Sequence, residues 1–128
     1  MLWAQNQSAT AAETKLKIGN NVTWRDAWQF GQPGDLTWQL QPNWEMEIKL
    51  DRYQATPLLN PSTANGQIVV ADAVQRVIYM NVPSSVIQAA LQPGIYQYDL
   101  IQFDNSTPAI RDVLMYGTLQ VVQGVSQP

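Results

Sequence analysis

The stretch Leu91–Phe103, which reads Leu-Gln-Pro-Gly-Ile-Tyr-Gln-Tyr-Asp-Leu-Ile-Gln-Phe, decides the fold of the chain. Pro93 presets the backbone for a tight turn, and Gly94 can adopt the positive φ that such a turn often needs. After the turn, Tyr96 and Tyr98 recur at a period of two, which is typical of a β-strand. The stretch therefore predicts a turn followed by a strand with two tyrosines on one face.

A tyrosine just inside a strand, directly after a Leu-x-Pro-Gly turn, is typical of the tyrosine corner of an immunoglobulin-like sandwich. In that arrangement the ring of Tyr96 enters the core, and its hydroxyl donates a hydrogen bond to the backbone of the preceding loop. We therefore assign Pro93, Gly94, Tyr96 and Tyr98 to a structural corner and not to catalysis.

The composition limits the class of protein. The chain has 128 residues, enough for one domain with a hydrophobic core, and 45% of them are apolar. Charged residues make up only 13%, about half of the usual ~25%, and sixteen Gln and eight Asn take their place. A lightly charged, amide-rich surface suits a protein that neighbours cover in an assembly. A host whose proteins are generally amide-rich is the alternative explanation.

The charged and reactive residues exclude several functions. The net charge of −3 argues against nucleic acid as a partner, because phosphate binding needs a basic surface. The chain has no cysteine and no histidine, which removes thiolate nucleophiles and the commonest general base and metal ligand. With no phosphate-binding glycine loop and no metal-spaced ligand cluster, the sequence predicts neither catalysis nor a cofactor. Without a signal peptide or a run of about 18 apolar residues, it predicts no membrane partner.

The first residues differ from the rest of the chain. They are small and polar apart from Leu2 and Trp3, and they show no periodicity. We predict an extended N-terminal arm over residues 1–14 and a single β-sandwich domain over residues 15–128. Leu2 and Trp3 are interface candidates, with Trp3 as an anchor in a neighbouring chain because interface hot spots favour Trp. An arm that folds back on its own domain is the alternative.

The aromatic segment Val22–Phe30 predicts a further strand. Trp24 and Trp28 share one face with Asp26, and a charge among aromatic residues indicates a bulge or an exposed stretch. We take Trp24 and Trp28 as additional interface candidates. Together with Trp38 they could form a platform on which sugars stack, and core packing is the alternative for at least two of the three.

The segment Trp44–Leu50 has the clearest alternation in the chain. Four apolar side chains are predicted to face the core: Trp44, Met46, Ile48 and Leu50. Glu45 and Glu47 lie between them and face solvent. Two carboxylates also occur in glycosidases, but residues i and i+2 on a strand simply form its outer face, and we assign neither to catalysis.

Three further signals complete the predicted architecture. Asn65-Gly66 predicts a hairpin turn, and Ser84–Leu91 predicts one short helix with Ser84 or Ser85 as its N-cap. The phase of the apolar residues changes at Gly117, which predicts a bulge in a long closing strand. The predicted fold class is all-β, an immunoglobulin-like antiparallel β-sandwich with about seven to nine strands, one short helix and the extended arm.

Several of these motifs together resemble a family of small tailed-bacteriophage and prophage virion proteins, and they are also similar to the N-terminal domain of phage baseplate upper proteins. The resemblance covers about residues 36–126. The motifs that carry it are Trp38-Gln-Leu40, Trp44–Leu50, Asn65-Gly66, Leu91–Leu100 and Gly117–Ser126. The sequence departs from the family at Ser126, where the family tends to have Thr, and in its long polar start.

This resemblance implies a sandwich that serves virion assembly. The expected function is that of a non-enzymatic structural component of a tailed-bacteriophage virion, as a tail or baseplate adaptor or a capsid decoration protein. The expected partners are other virion structural proteins and copies of the chain itself, and the expected location is the virion. The alternative function is a carbohydrate-binding module for host-surface polysaccharide.

Overall fold

The computed structural model describes residues 11–31, 39–106 and 109–124. These residues form eight β-strands and one short helix, which confirms an all-β chain with a single helix. The strands are β1 (Ala12–Glu13), β2 (Leu16–Gly19), β3 (Ala27–Gln29), β4 (Asn43–Lys49), β5 (Ile68–Asp72), β6 (Val77–Met80), β7 (Gly94–Asp104) and β8 (Ile110–Val122), and the helix α1 is Ser84–Ala90.

The strands form two sheets. The larger has the order β1-β8-β7-β4, with β2 also paired with β8, and the smaller has the order β3-β6-β5. One hydrophobic core contains residues of both sheets and of the helix, among them Trp44, Ile78, Ile87 and Leu119. Two sheets that share one core are consistent with a β-sandwich.

The N-terminal segment corrects two predictions. β1 and β2 pair with β8 in parallel, so the larger sheet is mixed and not purely antiparallel. The arm also ends earlier than residue 14, because Ala12 pairs with Met115 and the Thr14 N–H donates to the Tyr116 carbonyl at 2.8 Å. The cause is that β7 occupies only one side of β8. The backbone groups on the other side of β8 form hydrogen bonds with this segment. Residues 1–10 lie outside the described residues.

β4 confirms the alternation that the sequence predicts. Trp44, Met46 and Ile48 are fully buried, and Glu45 lies on the opposite face. Leu50 is the exception: its side chain is 63% exposed, so its predicted place in the core is wrong. The strand ends one residue before Leu50 and the chain turns away, which removes that residue from the alternation.

The corner before β7 has the predicted hydrogen bond. The Tyr96 hydroxyl donates to the backbone carbonyl of Gln92 at 2.6 Å, and the Tyr96 ring is buried in the core. Gly94 corrects a detail, because its φ is not positive. It is instead the first residue of β7, paired with Val121, so its backbone is already that of a strand.

The closing strand β8 contains a bulge, but not at Gly117. The register between β7 and β8 shifts where Leu100 pairs with Met115 and Ile101 pairs with Val113, which makes Leu114 the extra residue. The change in the phase of the apolar residues is therefore real, but it occurs at Leu114, three positions before Gly117. Gly117 has another role, because its φ of +147° and its closeness to Thr14 both require glycine.

The helix α1 begins where the sequence predicts but is capped differently. Its N-cap is Pro83, and no side chain caps it, so the prediction of Ser84 or Ser85 as N-cap is wrong. Pro83 has an extended backbone, and its carbonyl accepts hydrogen bonds from the N–H groups of Val86 and Ile87. The helix packs on the core through Ile87, which is fully buried. In the part of the chain that the structure describes, no helix is long and apolar enough to cross a membrane.

The Asn65-Gly66 pair marks a turn that connects the two sheets and not the predicted hairpin. Ser62, before the turn, bridges to Glu45 in the larger sheet, and β5, after it, belongs to the smaller sheet. Gly66 has a φ of +79°, and its N–H donates to the Thr63 carbonyl at 3.3 Å. The dipeptide therefore does form a tight turn, but the strands on its two sides do not pair with each other.

Asp26 does not mark a bulge. Trp24 bridges to Val82 and Ala27 pairs with Tyr79, so the strands keep one register across Asp26. The carboxylate is only half-buried and accepts a hydrogen bond from the Trp24 indole N–H at 2.8 Å. A charge on this face is tolerated because a buried aromatic donor satisfies it.

Candidate interaction surface

The side of the larger sheet that faces away from the core carries most of the chain's cations. We call it the outer face. The alternation of β4, β7, β8 and the N-terminal segment places charged side chains there: Glu13, Lys15, Lys17, Glu45, Glu47, Lys49, Asp99 and Arg111. Arg52, from the loop after β4, also lies against it. Five of the seven Lys and Arg residues of an acidic chain therefore surround one sheet face.

Arg111 connects two strands of the outer face. Its guanidinium contacts the carboxylates of Glu45 and Glu47, each at 3.0 Å, across the intervening strand β7. Lys49 contacts the other oxygen of Glu47 at 3.3 Å, and Asn60 donates to Glu45 at 3.0 Å. Because the Arg111 side chain is more than half exposed, these pairs contribute little to stability. They do fix the direction of the charged side chains.

A second group of charges lies beside the first. Asp99 on β7 is paired with Glu47 on one side and Tyr116 on the other. The Arg52 guanidinium lies over the Tyr116 ring, 5.7 Å from its centroid, which is a cation–π distance. Arg52, Asp99 and Glu47 line a depression of about 50 Å³, with room for a few water molecules. This size suits contacts in an interface better than a small-molecule ligand.

Apolar side chains lie among the charges. Ile101, on the outer face, is only 3% exposed although it lies outside the main hydrophobic cluster between the sheets. It is paired with Glu45 and with Val113, and the long charged side chains beside it exclude water. Val113 and Ile95 are 38% and 60% exposed on the same face. Apolar patches within a polar rim are the usual composition of a protein–protein interface.

The end of the outer face near β2 is basic and grooved. Lys15 and Lys17 line a shallow groove of about 430 Å³ together with Ile95, Thr118 and Gln120. The groove is open to solvent, and lysine on an edge strand discourages further strand addition. Lys15 and Lys17 therefore protect the β2 edge of the sheet.

The interface candidates from the sequence have different outcomes. Trp24 is 3% exposed, so its selection as an interface residue is wrong for this chain: it belongs to the core, with its indole N–H bonded to Asp26. Trp28 is half-buried and packs against the core. Burial leaves the Trp24 ring no free face on which a sugar could stack, and the core covers part of the Trp28 ring. Leu2, Trp3 and Trp38 lie outside the described residues.

The corner residues have structural contacts throughout. Tyr96 bonds Gln92, as described above, and the Tyr98 hydroxyl donates to the Thr14 carbonyl at 2.7 Å. Burial raises the pKa of Tyr98 well above its usual range. Tyr98 thus joins β7 to the N-terminal segment across Gly117, with which it is paired.

Sequence reasoning missed two side chains that join distant parts of the larger sheet. Arg111 is 64 residues from Glu47, so only the strand register reveals the pair. Gln102 is fully buried, accepts from the Gln41 N–H at 2.9 Å and donates to the Gln39 carbonyl at 3.0 Å. Its amide therefore holds the segment before β4 against the sheet. The sequence does contain a signal for this: Gln102 follows Tyr96 and Tyr98 at a period of two, which places its side chain on the same buried face of the strand.

Two negative findings complete the description. Within residues 11–31, 39–106 and 109–124, no group of three or more acidic side chains could hold a metal ion. No protein-family model matches the sequence, and a search of curated proteins finds no match to it.

Proposed function

We propose that this chain is a non-enzymatic structural component of a tailed-bacteriophage virion, with an immunoglobulin-like β-sandwich that holds neighbouring subunits together. The observation that carries the proposal is the Tyr96–Gln92 hydrogen bond at the Leu91-Gln-Pro-Gly corner. That corner is the most distinctive motif of the resemblance, and its hydroxyl bond is the one that an immunoglobulin-like sandwich uses.

The other motifs of the resemblance support the same proposal through their positions. Trp44–Leu50 coincides with β4, and Leu91–Leu100 and Gly117–Ser126 supply much of β7 and β8. These are three neighbouring strands of the larger sheet. Motifs that lie on neighbouring strands pack in the same part of the core. The resemblance therefore supports a shared fold better than it would if its motifs were scattered over the chain.

The outer face supplies a means of holding subunits together. It carries charges of both signs, a few exposed apolar residues and the amides of Gln97 and Gln120, a mixture that suits a wet interface with many hydrogen bonds. Its partners are copies of the chain or other virion structural proteins. A tail or baseplate position follows from the baseplate resemblance, and capsid decoration would use the same surface.

The test is incorporation into purified particles. We expect mass spectrometry of gradient-purified virions to find the chain in stoichiometric copies. Arg111→Glu, which reverses the charge that bridges Glu45 and Glu47, should reduce incorporation while the purified domain melts normally. Arg25→Glu is the matched control, since Arg25 is exposed and its neighbour Trp24 belongs to the smaller sheet. The proposal is wrong if particles lack the protein, or if both variants are incorporated equally well.

A further inference from the structure

The two sides of β8 are paired to different extents. On one side β7 pairs with it from Ile110 to Val121. On the other side β1 pairs at Met115 and Tyr116, and β2 pairs from Leu119 to Val122. Among the described residues, no strand pairs with 110–113 on that second side. Within the part of the chain that the structure describes, the first third of β8 is therefore an open sheet edge.

The backbone alternation shows which groups this edge offers. In an antiparallel pair, residues whose N–H and C=O bond the partner alternate with residues whose groups point away. After the bulge, the Tyr116 carbonyl points away from β7 and accepts from Thr14. Because the bulge at Leu114 inserts one residue, the phase changes there. Before it, the N–H and C=O groups of Arg111 and Val113 are the ones that point away from β7.

The described pairing of the N-terminal segment begins directly after the bulge. Ala12 lies opposite Met115, which is the residue that follows the bulged Leu114. A bulge bends its strand and disrupts the ladder locally. A strand that continued along the same edge before Ala12 would have to follow that bend, whereas a strand that arrives from another molecule would not.

We propose that the open edge at 110–113 binds residues 1–10 of a second copy of this chain by strand addition. The inference rests on the proposed assembly function and specifies how two copies of the chain contact each other. Residues 1–10 contain no charged side chain, and ten extended residues span about 33 Å, enough to leave one copy and cross the edge of another. Ile110 and Val113 are 39% and 38% exposed beside the edge, and they offer apolar contacts for the same segment.

The other edges of the larger sheet are unsuited to this role. Lys15, directly before β2, and Lys17, within it, disfavour an added strand. The outer side of β4 is already bonded by residues 58–63. The open edge has one basic side chain, Arg111. It points across the outer face toward Glu45 and Glu47, and so away from the position of an added strand. Main-chain hydrogen bonds would supply affinity, and side chains such as Trp3 would supply specificity. Each copy then has one segment to give and one edge to receive, so the contact closes a dimer or builds a ring.

The experiment measures self-association of the full chain by sedimentation velocity. The variants are a deletion of residues 1–10 and Val113→Lys. The matched control is Val74→Lys, an exposed valine in the turn between β5 and β6, away from the outer face and from the open edge. We expect the wild type and Val74→Lys to associate alike. The deletion and Val113→Lys should each weaken association by about tenfold or more. A mixture of these two variants should associate again, because one keeps the edge and the other keeps the segment.

A second measurement covers the case in which Val113→Lys fails to fold. A synthetic peptide of residues 1–10 should bind the deletion variant and shift the amide resonances of Arg111 and Val113, whereas a scrambled peptide should not. A wild type that remains monomeric up to its solubility limit would overturn the inference, even if the peptide binds, because the segment would then lie on its own chain. A deletion variant that associates as well as the wild type would also overturn it.

These outcomes are separate from those of the proposed function. If the variants complement each other but particles lack the protein, only the virion proposal fails. If particles contain the protein but the wild type is monomeric, only the strand addition fails.

Discussion

Replacing Gly117 with alanine tests how the N-terminal segment is held against β8. A Cβ at this position would overlap the Thr14 carbonyl oxygen and lie 3.2 Å from the Thr14 carbonyl carbon. The backbone there has a φ of +147°, which is a conformation that residues with a side chain rarely adopt. The substitution therefore combines backbone strain with a steric conflict against the backbone between β1 and β2.

The two contributions can be separated with a second glycine. Gly66 also has a positive φ, +79°, but a Cβ added there meets no atom within 4 Å. Gly66→Ala should therefore cost about 1 kcal/mol of unfolding free energy through backbone strain alone. Gly117→Ala adds overpacking of roughly 1–3 kcal/mol and should cost about 3 kcal/mol in total. For 128 residues, these values correspond to decreases in Tm of about 4 °C and about 11 °C.

The assay is urea unfolding followed by tryptophan fluorescence, together with hydrogen exchange of the β2 amides. We expect Gly117→Ala to speed exchange of the Leu16 and Ile18 amides, because β2 must move away from β8. Gly66→Ala should leave that exchange unchanged. The reasoning is refuted if the two substitutions cost the same free energy, since Thr14 would then not restrict the space at Gly117.

Three further outcomes follow from the contacts described above. Tyr96→Phe should lower the unfolding free energy by about 1 kcal/mol, measured by urea titration, because it removes the bond to Gln92; an unchanged midpoint would exclude the corner as a stabilising contact. Because burial raises the pKa of Tyr98, the folded chain holds its proton more tightly than the unfolded chain, and stability should fall as pH rises above about 10. Tyr98→Phe should reduce that slope in pH-dependent melting, and an identical slope would contradict the assignment. Arg111→Ala should cost at most about 1 kcal/mol, and less in high salt, when thermal melts are compared across ionic strength; a larger, salt-independent loss would show a buried role.

Local patterns in the sequence were sufficient for the elements that depend on neighbouring residues. The alternation in Trp44–Leu50 predicted β4, and the Leu-x-Pro-Gly corner predicted both β7 and the Tyr96 hydroxyl bond. The helix was likewise predicted to within one residue. Each signal lies within about ten residues, the range in which side-chain period and turn chemistry act.

Features that depend on pairing between distant strands could not be predicted in this way. The parallel pairing of β1 and β2 with β8 joins residues about one hundred positions apart, and no local pattern distinguishes parallel from antiparallel pairing there. The partner of the Glu45 and Glu47 carboxylates was hidden for the same reason, since Arg111 reaches them only through the register of three strands. Trp24 was misjudged because a core tryptophan and an interface tryptophan look alike in sequence.

The bulge at Leu114, Gly117 and Tyr98 act on the same stretch of the N-terminal segment. The described pairing of the segment begins with Ala12 opposite Met115, directly after the bulged Leu114. Gly117 leaves space for the Thr14 carbonyl, and the Tyr98 hydroxyl donates to that carbonyl at 2.7 Å. The position of Thr14 is therefore set by β7 and β8 and not by the composition of the segment itself. Filling the space at Gly117 or removing the Tyr98 hydroxyl should loosen the pairing of β1 and β2 with β8 before it changes the core.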